Sequence, residues 1–435
     1  MNNKFIKNTS WIISGHIVRM IISFAVGLFT ARYLGPSNYG LINYVSSYIV
    51  FFTSIIGLGI NCVIVNEFIN NKDNEGEILG TAVFMRFILG LICSFAVILF
   101  LNARYDGDST IRAIAILQSI QLPFLCLDTI QYWYQARLQS KFTVISQTIA
   151  YILTSVYKIV LLVTGIGVVW FAFATSLDCI VLSLGFYIIF TRQPHQKLRV
   201  SLATAKGLLK KCFPFLLTSL MIVIYGQMDK VMIKEMTGSD NLVGLYSVAV
   251  IVSSLIAFIP NAIIESSRPL VFKANSNSKQ EFINKFKLMS AAVLWICIIY
   301  STFVCLFSKI IISVLYGQDY IAANTCLKIC VWYTAFSYIG SAKSIWLIAE
   351  NKNKYVFIFA MLGAAVNLTL NFALIPFMGI NGAALATLIT QLFTNVLSPL
   401  IFRETREYSK LIFGALSLKG INVRQLFSII LKKKS

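Results

Sequence analysis

Long apolar segments alternate with short polar ones along almost the whole chain. A membrane-spanning helix needs roughly 20 mostly apolar residues. Twelve segments meet this requirement, at about 11–32, 41–65, 78–101, 112–133, 142–163, 167–190, 213–234, 242–264, 288–308, 325–348, 355–376 and 380–402. Glycine and proline mark several of the connections between them, among them Gly35-Pro36. The pattern predicts an all-α polytopic membrane protein with about twelve transmembrane helices.

Composition excludes several other classes of protein. The chain is 57% hydrophobic and only 12% charged, whereas a soluble domain has about a quarter of its residues charged. A soluble enzyme and a disordered protein are therefore not expected. The net charge is +20, but no basic soluble domain with interleaved aromatic residues is present, so nucleic acid is not an expected partner.

The positions of lysine and arginine predict the orientation of the helices. With the N-terminus placed inside, 26 of the 37 Lys and Arg residues fall in cytoplasmic segments, six fall outside and five fall within spans. Short cytoplasmic loops carry an excess of these residues. The asymmetry therefore predicts a multi-pass protein with both termini in the cytoplasm.

Two similarities between the halves indicate a duplicated six-helix unit. A Gly-polar-Gly-Leu pattern at Gly35 recurs at Gly238, and Ala-x-Ala-Thr ending at Thr175 recurs ending at Thr387. Chance similarity between apolar sequences is the alternative. The duplication predicts an N-terminal six-helix bundle, a cytoplasmic linker, a C-terminal six-helix bundle and a basic cytoplasmic tail at 1–190, 191–212, 213–402 and 403–435. An even number of helices gives both halves the same orientation, so the substrate path is expected between them.

Ionisable and polar residues within the spans are the candidate functional residues, because a charge in mid-membrane is costly. The cations expected to bind an anionic head group are Arg19, Arg86, Lys158 and Lys343. The acids that could couple transport to an ion, or pair with a cation, are Asp128, Asp178 and Asp229. The polar residues expected to line the cavity are His16, Ser23, Gln118, Gln121 and Gln227. Structural pairing remains the alternative for each charge, but the surplus of cations in the early spans favours an anionic substrate.

The motifs of catalysis and metal binding are absent from the sequence. No phosphate-binding G-x-x-x-x-G-K-[ST] loop occurs, so an ATP-driven pump is not expected. His16 and His195 are isolated, and the nine cysteines form no C-x-x-C pair. The sequence therefore predicts no catalytic residue, no metal site and no cofactor, and it favours a transporter over an enzyme.

Three segments carry a resemblance to a known family. They read Thr30-Ala-Arg-Tyr-Leu-Gly-Pro-Ser-Asn-Tyr-Gly-Leu41, then Gln227-Met-Asp-Lys-Val-Met-Ile233 leading to Gly244-Leu-Tyr-Ser-Val-Ala249, and finally Gly379-Ile-Asn-Gly-Ala-Ala-Leu-Ala-Thr387. In this order and setting they resemble the polysaccharide transporters of the multidrug/oligosaccharidyl-lipid/polysaccharide exporter superfamily. Within it, the chain looks like the bacterial flippases of O-antigen or capsule repeat units.

The resemblance implies two six-helix bundles that face each other across a central cavity and work by alternating access. It implies a lipid-linked substrate, an undecaprenyl-pyrophosphate oligosaccharide carried from the cytoplasmic to the outer leaflet of the bacterial inner membrane. Membrane lipids and other membrane proteins of polysaccharide assembly, including those of lipopolysaccharide, are the implied partners. Family members often carry an arginine in the first span, and Arg19 matches that position in kind.

Two other functions remain open at this point. One is a cation-coupled drug or metabolite antiporter of the same superfamily, which would usually carry acids in its early spans. Cations occupy those spans here. The other is a membrane glycan polymerase, which would need an outward-facing catalytic loop longer than any in this sequence.

Overall fold

The structure, a computed structural model, describes the backbone of residues 3–417 and the side chains of residues 19–417. Within residues 3–417 it consists of helices joined mostly by short turns, with a longer non-helical segment at 194–201 and no strand. The all-α prediction is confirmed.

Two compact units divide the chain, the first ending at Gln227 and the second beginning at Met228. The helices of unit 1 are α1 (Asn3–Gly57), α2 (Ile64–Asn70), α3 (Glu75–Arg104), α4 (Ser109–Ser119), α5 (Gln121–Phe124), α6 (Thr129–Ala136), α7 (Ser140–Thr164), α8 (Val168–Thr191) and most of α9 (Leu202–Thr237). Those of unit 2 are the end of α9, then α10 (Asp240–Ser253), α11 (Phe258–Asn277), α12 (Lys279–Tyr316), α13 (Asn324–Ala349), α14 (Lys354–Met378), α15 (Ile380–Leu392), α16 (Ser398–Ile401) and α17 (Arg406–Leu416). The bundle limits at 190 and 213 stay a prediction.

Each predicted span corresponds to helix in the described part of the chain. Ten helical segments there are long and apolar enough to cross a membrane. One of them, Arg19–Gly57, includes most of the first two predicted spans. Within it α1 breaks at Gly35, whose φ of 68° suits glycine and whose neighbour Pro36 lacks an N–H. The tenth predicted span is α13, which lies outside those ten. The chain is a multi-pass membrane protein.

The two shortest predicted connections are helical hairpins. Between α7 and α8 the chain turns at Gly165, with φ of 71°, and its N–H closes the last turn of α7 on Leu161. Between α14 and α15 it turns at Gly379, with φ of 53°. Both glycines take a left-handed backbone that other residues rarely adopt, and both hairpins bring consecutive helices into contact.

An ion pair stacked on an aromatic ring links α3 and α6 in unit 1. Glu75, at the start of α3, accepts a hydrogen bond from Arg137 Nη2 at 2.5 Å and one from Trp133 Nε1 at 3.0 Å. The Arg137 guanidinium lies 3.7 Å from the centre of the Trp133 ring, in position for a cation–π interaction. Trp133 belongs to the buried apolar core of this unit, so the pair ties α3 and α6 to that core.

Unit 2 has an aromatic core that includes part of the predicted tail. Three aromatic residues are fully buried there: Phe286 of α12, Trp346 of α13 and Tyr408 of α17. The Tyr408 ring centre lies 6.1 Å from that of Phe286 and 5.9 Å from that of Trp346. The ring spacing is typical of favourable aromatic pairs. Residues 403–417 of the predicted basic tail therefore include a helix packed on the unit, while residues 418–435 lie outside the described part.

Candidate functional site

A charged cluster lies between α1, α7 and α8 of unit 1. Asp178 of α8 accepts a hydrogen bond from Thr154 Oγ1 at 3.3 Å. It also interacts electrostatically with Lys158, one turn from Thr154 on α7, and with Arg19 of α1. Tyr151 of α7 lies close to Ser23 of α1 and interacts electrostatically with Asp178 and Arg19. We call these six residues the unit 1 cluster: Arg19, Ser23, Tyr151, Thr154, Lys158 and Asp178.

The unit 1 cluster brings together four of the residues chosen from the sequence. It holds two cations, Arg19 and Lys158, against one acid, Asp178. These residues lie in segments that have the composition of membrane spans. Because interactions between charges strengthen away from water, such a cluster can attract an anionic group.

Arg86 and Asp128 lie elsewhere in unit 1, where Arg86 is buried between helices. Its Nε donates to Ile56 O at 3.2 Å and its Nη1 to Thr129 Oγ1 at 2.8 Å. Asp128 interacts electrostatically with the same guanidinium. These contacts give the Arg86 guanidinium partners within the packed helices. The binding of substrate by Arg86 stays a prediction.

The predicted polar lining is scattered along the chain. Gln118 is buried and its Nε2 donates to Ser46 Oγ at 3.0 Å, while Gln121 Nε2 donates to Gln118 O at 2.8 Å. Gln227 is half-buried at the end of unit 1. His16 lies in α1, but its side chain is outside the described part. The lining role of these residues stays a prediction.

Asp229 is the centre of a polar cluster buried in unit 2. Its Oδ1 accepts a hydrogen bond from Asn371 Nδ2 at 2.7 Å, and its Oδ2 accepts from Thr387 Oγ1 at 2.6 Å and from the Tyr246 hydroxyl. Asn367 Oδ1 accepts from Asn371 Nδ2 at 3.1 Å, and Asn367 Nδ2 donates to Thr387 Oγ1 at 3.2 Å. We call Asp229, Tyr246, Asn367, Asn371 and Thr387 the Asp229 cluster; it joins α9, α10, α14 and α15.

The Asp229 cluster brings carboxylate and hydroxyl oxygens together and turns the Asn371 amide nitrogen toward the carboxylate. Asn371 Oδ1 is buried and accepts no hydrogen bond from the described residues. An amide can turn over to present either its oxygen or its nitrogen to a neighbour. Hard cations prefer such oxygen ligands, so this donor set fits a small monovalent cation. In the described part of the chain no three His, Cys, Asp or Glu residues group as they would around a transition metal.

Lys343 is buried in unit 2 beside an irregular turn of helix. Its Nζ donates to Thr394 O at 2.7 Å and to Asn395 Oδ1 at 2.8 Å, and it lies 4.5 Å from the Phe359 ring centre. Residues Phe393–Leu397 form a single π-helical turn between α15 and α16. The ammonium therefore stabilises a widened turn, and its binding of a head group stays a prediction.

Sequence reasoning selected Asp229 but none of its four partners in the cluster, although Tyr246 and Thr387 lie in the segments that carry the family resemblance. Asn367 and Asn371 are separated by one helical turn in a mostly apolar span. That spacing puts both amides on one helix face, a signal that could have found them.

Comparison with known proteins gives one family and a fold. The model of the family described as "Polysaccharide biosynthesis protein" matches residues 5–275, and a comparison with curated protein sequences gives no match. A lipid II flippase, MurJ, in an inward closed conformation is 17% identical with a TM-score of 0.75, covering 98% of this chain and 93% of its own.

Two further structures share the fold at similar distance in sequence. An inward-facing multidrug resistance MATE family transporter of the MOP superfamily is 16% identical with a TM-score of 0.68, covering 91% of this chain and 95% of its own. A MOP superfamily transporter from Pyrococcus furiosus, described by the reversed polarity of its binding pocket, is 13% identical with a TM-score of 0.58, covering 99% and 96%. Identities this low establish the fold alone.

Proposed function

Because the chain belongs to the polysaccharide biosynthesis protein family and has the fold of MOP superfamily transporters, we propose that it is a flippase for lipid-linked oligosaccharides. Its cargo is an undecaprenyl-pyrophosphate-linked repeat unit of O-antigen or capsule. Alternating access carries this lipid from the cytoplasmic to the outer leaflet of a bacterial inner membrane, with both termini in the cytoplasm.

The unit 1 cluster is the observation that carries this proposal. A pyrophosphate is an anion, and Arg19 and Lys158 together exceed the charge of Asp178. Arginine also offers paired donors that suit phosphate oxygens. Arg19 and Lys158 would hold the head group inside the protein while the polyprenyl tail stays in lipid.

The membrane potential can supply the direction of this transport. Moving one negative charge outward across an inside-negative membrane releases about 2.3 kcal/mol per 100 mV. A pyrophosphate carries more than one such charge, so the potential alone favours export. Nothing in this step requires a catalytic group on the protein.

The Asp229 cluster is proposed to couple a cation to the return of the empty carrier. Asp229 supplies a negative charge that suits Na⁺ or a proton, and Thr387 supplies a hydroxyl oxygen. Asn371 would add an amide oxygen once its side chain turns over. Asp128 and Asp178 remain further candidates for the same role. The cation would stabilise the conformation of unit 2 in which these side chains converge.

Complementation of a gene deletion tests the head-group role. Arg19→Ala and Lys158→Ala should each abolish surface polysaccharide at unchanged protein level, with single lipid-linked repeat units accumulating on the cytoplasmic face. Arg32→Ala, which removes an exposed arginine of the same helix, is the matched control and should complement fully. Normal surface polysaccharide from Arg19→Ala, or equal loss from Arg19→Ala and Arg32→Ala, would reject the cavity-charge argument.

The same deletion separates the two competing functions. Loss of a glycan polymerase would leave single lipid-linked repeat units on the outer leaflet. Loss of a drug or metabolite antiporter would leave surface polysaccharide intact and raise sensitivity to a toxic compound. Lipid-linked units trapped inside are the result specific to a flippase.

A further inference from the structure

An extended segment after α8 lies tightly against the start of α3. Arg199 N donates to Gly76 O at 3.3 Å, and Gly76 N donates to Gln196 Oε1 at 2.9 Å. A Cβ atom at Gly76 or at Gly80 would lie 2.5 Å from a backbone oxygen of this segment. The two glycines therefore allow residues 194–200 to lie against the first turns of α3.

This contact builds an apolar groove within unit 1. The groove has a volume of about 530 Å³. Phe84 and Phe87 of α3, Leu184 and Tyr187 of α8, and Leu198 and Val200 of the extended segment line it. The volume lies in the range of small-ligand sites, and the lining suits a hydrocarbon chain.

The extended segment is amphipathic. Side chains alternate between the two sides of an extended chain, so Leu198 and Val200 share one side and Lys197 and Arg199 share the other. Both cations are exposed, and neither side chain makes an ion pair or hydrogen bond with the described residues. Long basic side chains can cross from an apolar surface to the polar head groups of a bilayer.

We propose that this groove binds an anionic phospholipid of the cytoplasmic leaflet. One acyl chain occupies the groove, and the phosphate is held by Lys197 and Arg199 at its rim. The predicted orientation of the chain places the extended segment at the cytoplasmic surface, where anionic lipids attract basic segments. The bound lipid fixes the extended segment on α3. No residue that lines the groove belongs to the unit 1 cluster or to the Asp229 cluster, and the proposal depends only on the orientation.

Native mass spectrometry of the delipidated full chain in detergent tests the head-group contact. Phosphatidylglycerol should bind more tightly than phosphatidylethanolamine with the same acyl chains. The K197A/R199A double variant should bind phosphatidylglycerol about 30-fold more weakly, since each basic residue near a membrane surface adds about a fivefold preference for anionic lipid. The K206A/K210A double variant removes the same charge from exposed positions on α9 and should bind as the wild type does.

A second variant tests the groove itself. L198N/V200N replaces two exposed apolar side chains of the groove wall and should weaken the binding of both lipids. Its unfolding temperature in the absence of lipid should equal that of the wild type. Equal binding of the two lipids by the wild type, or unchanged binding by K197A/R199A, would overturn the proposal. Displacement of phosphatidylglycerol by equimolar undecaprenyl phosphate would also overturn it, because the groove would then belong to the transported lipid.

Discussion

Replacing Asp229 with asparagine should keep the fold and remove the proposed cation site. One carboxylate oxygen becomes an amide nitrogen, and the remaining oxygen can still accept from Thr387 and Tyr246. The new amide nitrogen then faces Asn371, whose own Oδ1 accepts no hydrogen bond from the described residues. If the Asn371 amide turns over, it accepts the new hydrogen bond.

The hydrogen-bond inventory gives the size of the effect. Hydrogen bonds between transmembrane helices contribute about 0.6 kcal/mol on average and up to about 1.7 kcal/mol. Asp229→Ala loses three of them, so the free energy of unfolding should fall by about 2–5 kcal/mol. Asp229→Asn loses at most one, so it should fall by about 1 kcal/mol.

Unfolding of the purified protein in detergent, in sodium or in choline chloride, measures both effects. A ligand at ten times its dissociation constant stabilises the native state by about 1.4 kcal/mol. The wild type should gain this stability from sodium, and Asp229→Asn should gain none. Asp240→Asn is the matched control, because Asp240 pairs with Lys234 at 2.6 Å on a more exposed site and its loss should leave the sodium response intact.

Two results would refute the reasoning in different ways. An equal sodium response in Asp229→Asn and the wild type would place the cation elsewhere. Equal destabilisation by Asp229→Asn and Asp229→Ala would show that the Asn371 amide does not turn over to replace the lost acceptor.

Two further predictions concern packing. Gly382→Ala should lower the free energy of unfolding by about 1–3 kcal/mol, seen as a lower unfolding temperature, because the new Cβ would lie 2.4 Å from Leu374 O. Gly27→Ala is the control and should leave the unfolding temperature unchanged, because its Cβ would meet no atom within 4 Å. Equal shifts in both variants would contradict this packing. Arg137→Ala should lower the free energy of unfolding by about 1–2 kcal/mol, because the contacts with the Glu75 carboxylate and the Trp133 indole are lost. Denaturant unfolding in detergent measures this change. Lys354→Ala, which breaks an exposed ion pair, should leave the curve unchanged, and a similar loss from both would contradict a special role for the stacked pair.

Periodicity was enough to find the charged residues that meet in unit 1. Lys158 and Thr154 are one helical turn apart in the sequence, and the structure places both beside Asp178. Helical spacing predicts which residues share a face, and an α-helix keeps that relation in the folded protein. The partner helix of each face was beyond reach, because side-chain spacing along one helix says nothing about its neighbours.

The parts that the sequence did not predict depend on contacts between distant segments. Asn371 comes 142 residues after Asp229, and no local pattern links the two. The sequence assigns α17 to a basic tail because residues 403–435 carry eight Lys and Arg residues, although Tyr408 is buried in the core of unit 2. The π-helical turn likewise makes a hydrogen bond with Lys343, which lies 51 residues earlier in the chain.

That turn has a consequence for comparing this chain with its relatives. A π turn contains one residue more than an α turn over the same rise, so the span holds one residue that a regular helix would not need. A relative with a regular helix here should show a single-residue gap between positions 393 and 397. Such a relative would have no π turn whose backbone carbonyl accepts a hydrogen bond from a lysine ammonium. A lysine aligned with Lys343 should therefore mark the sequences that carry the extra residue.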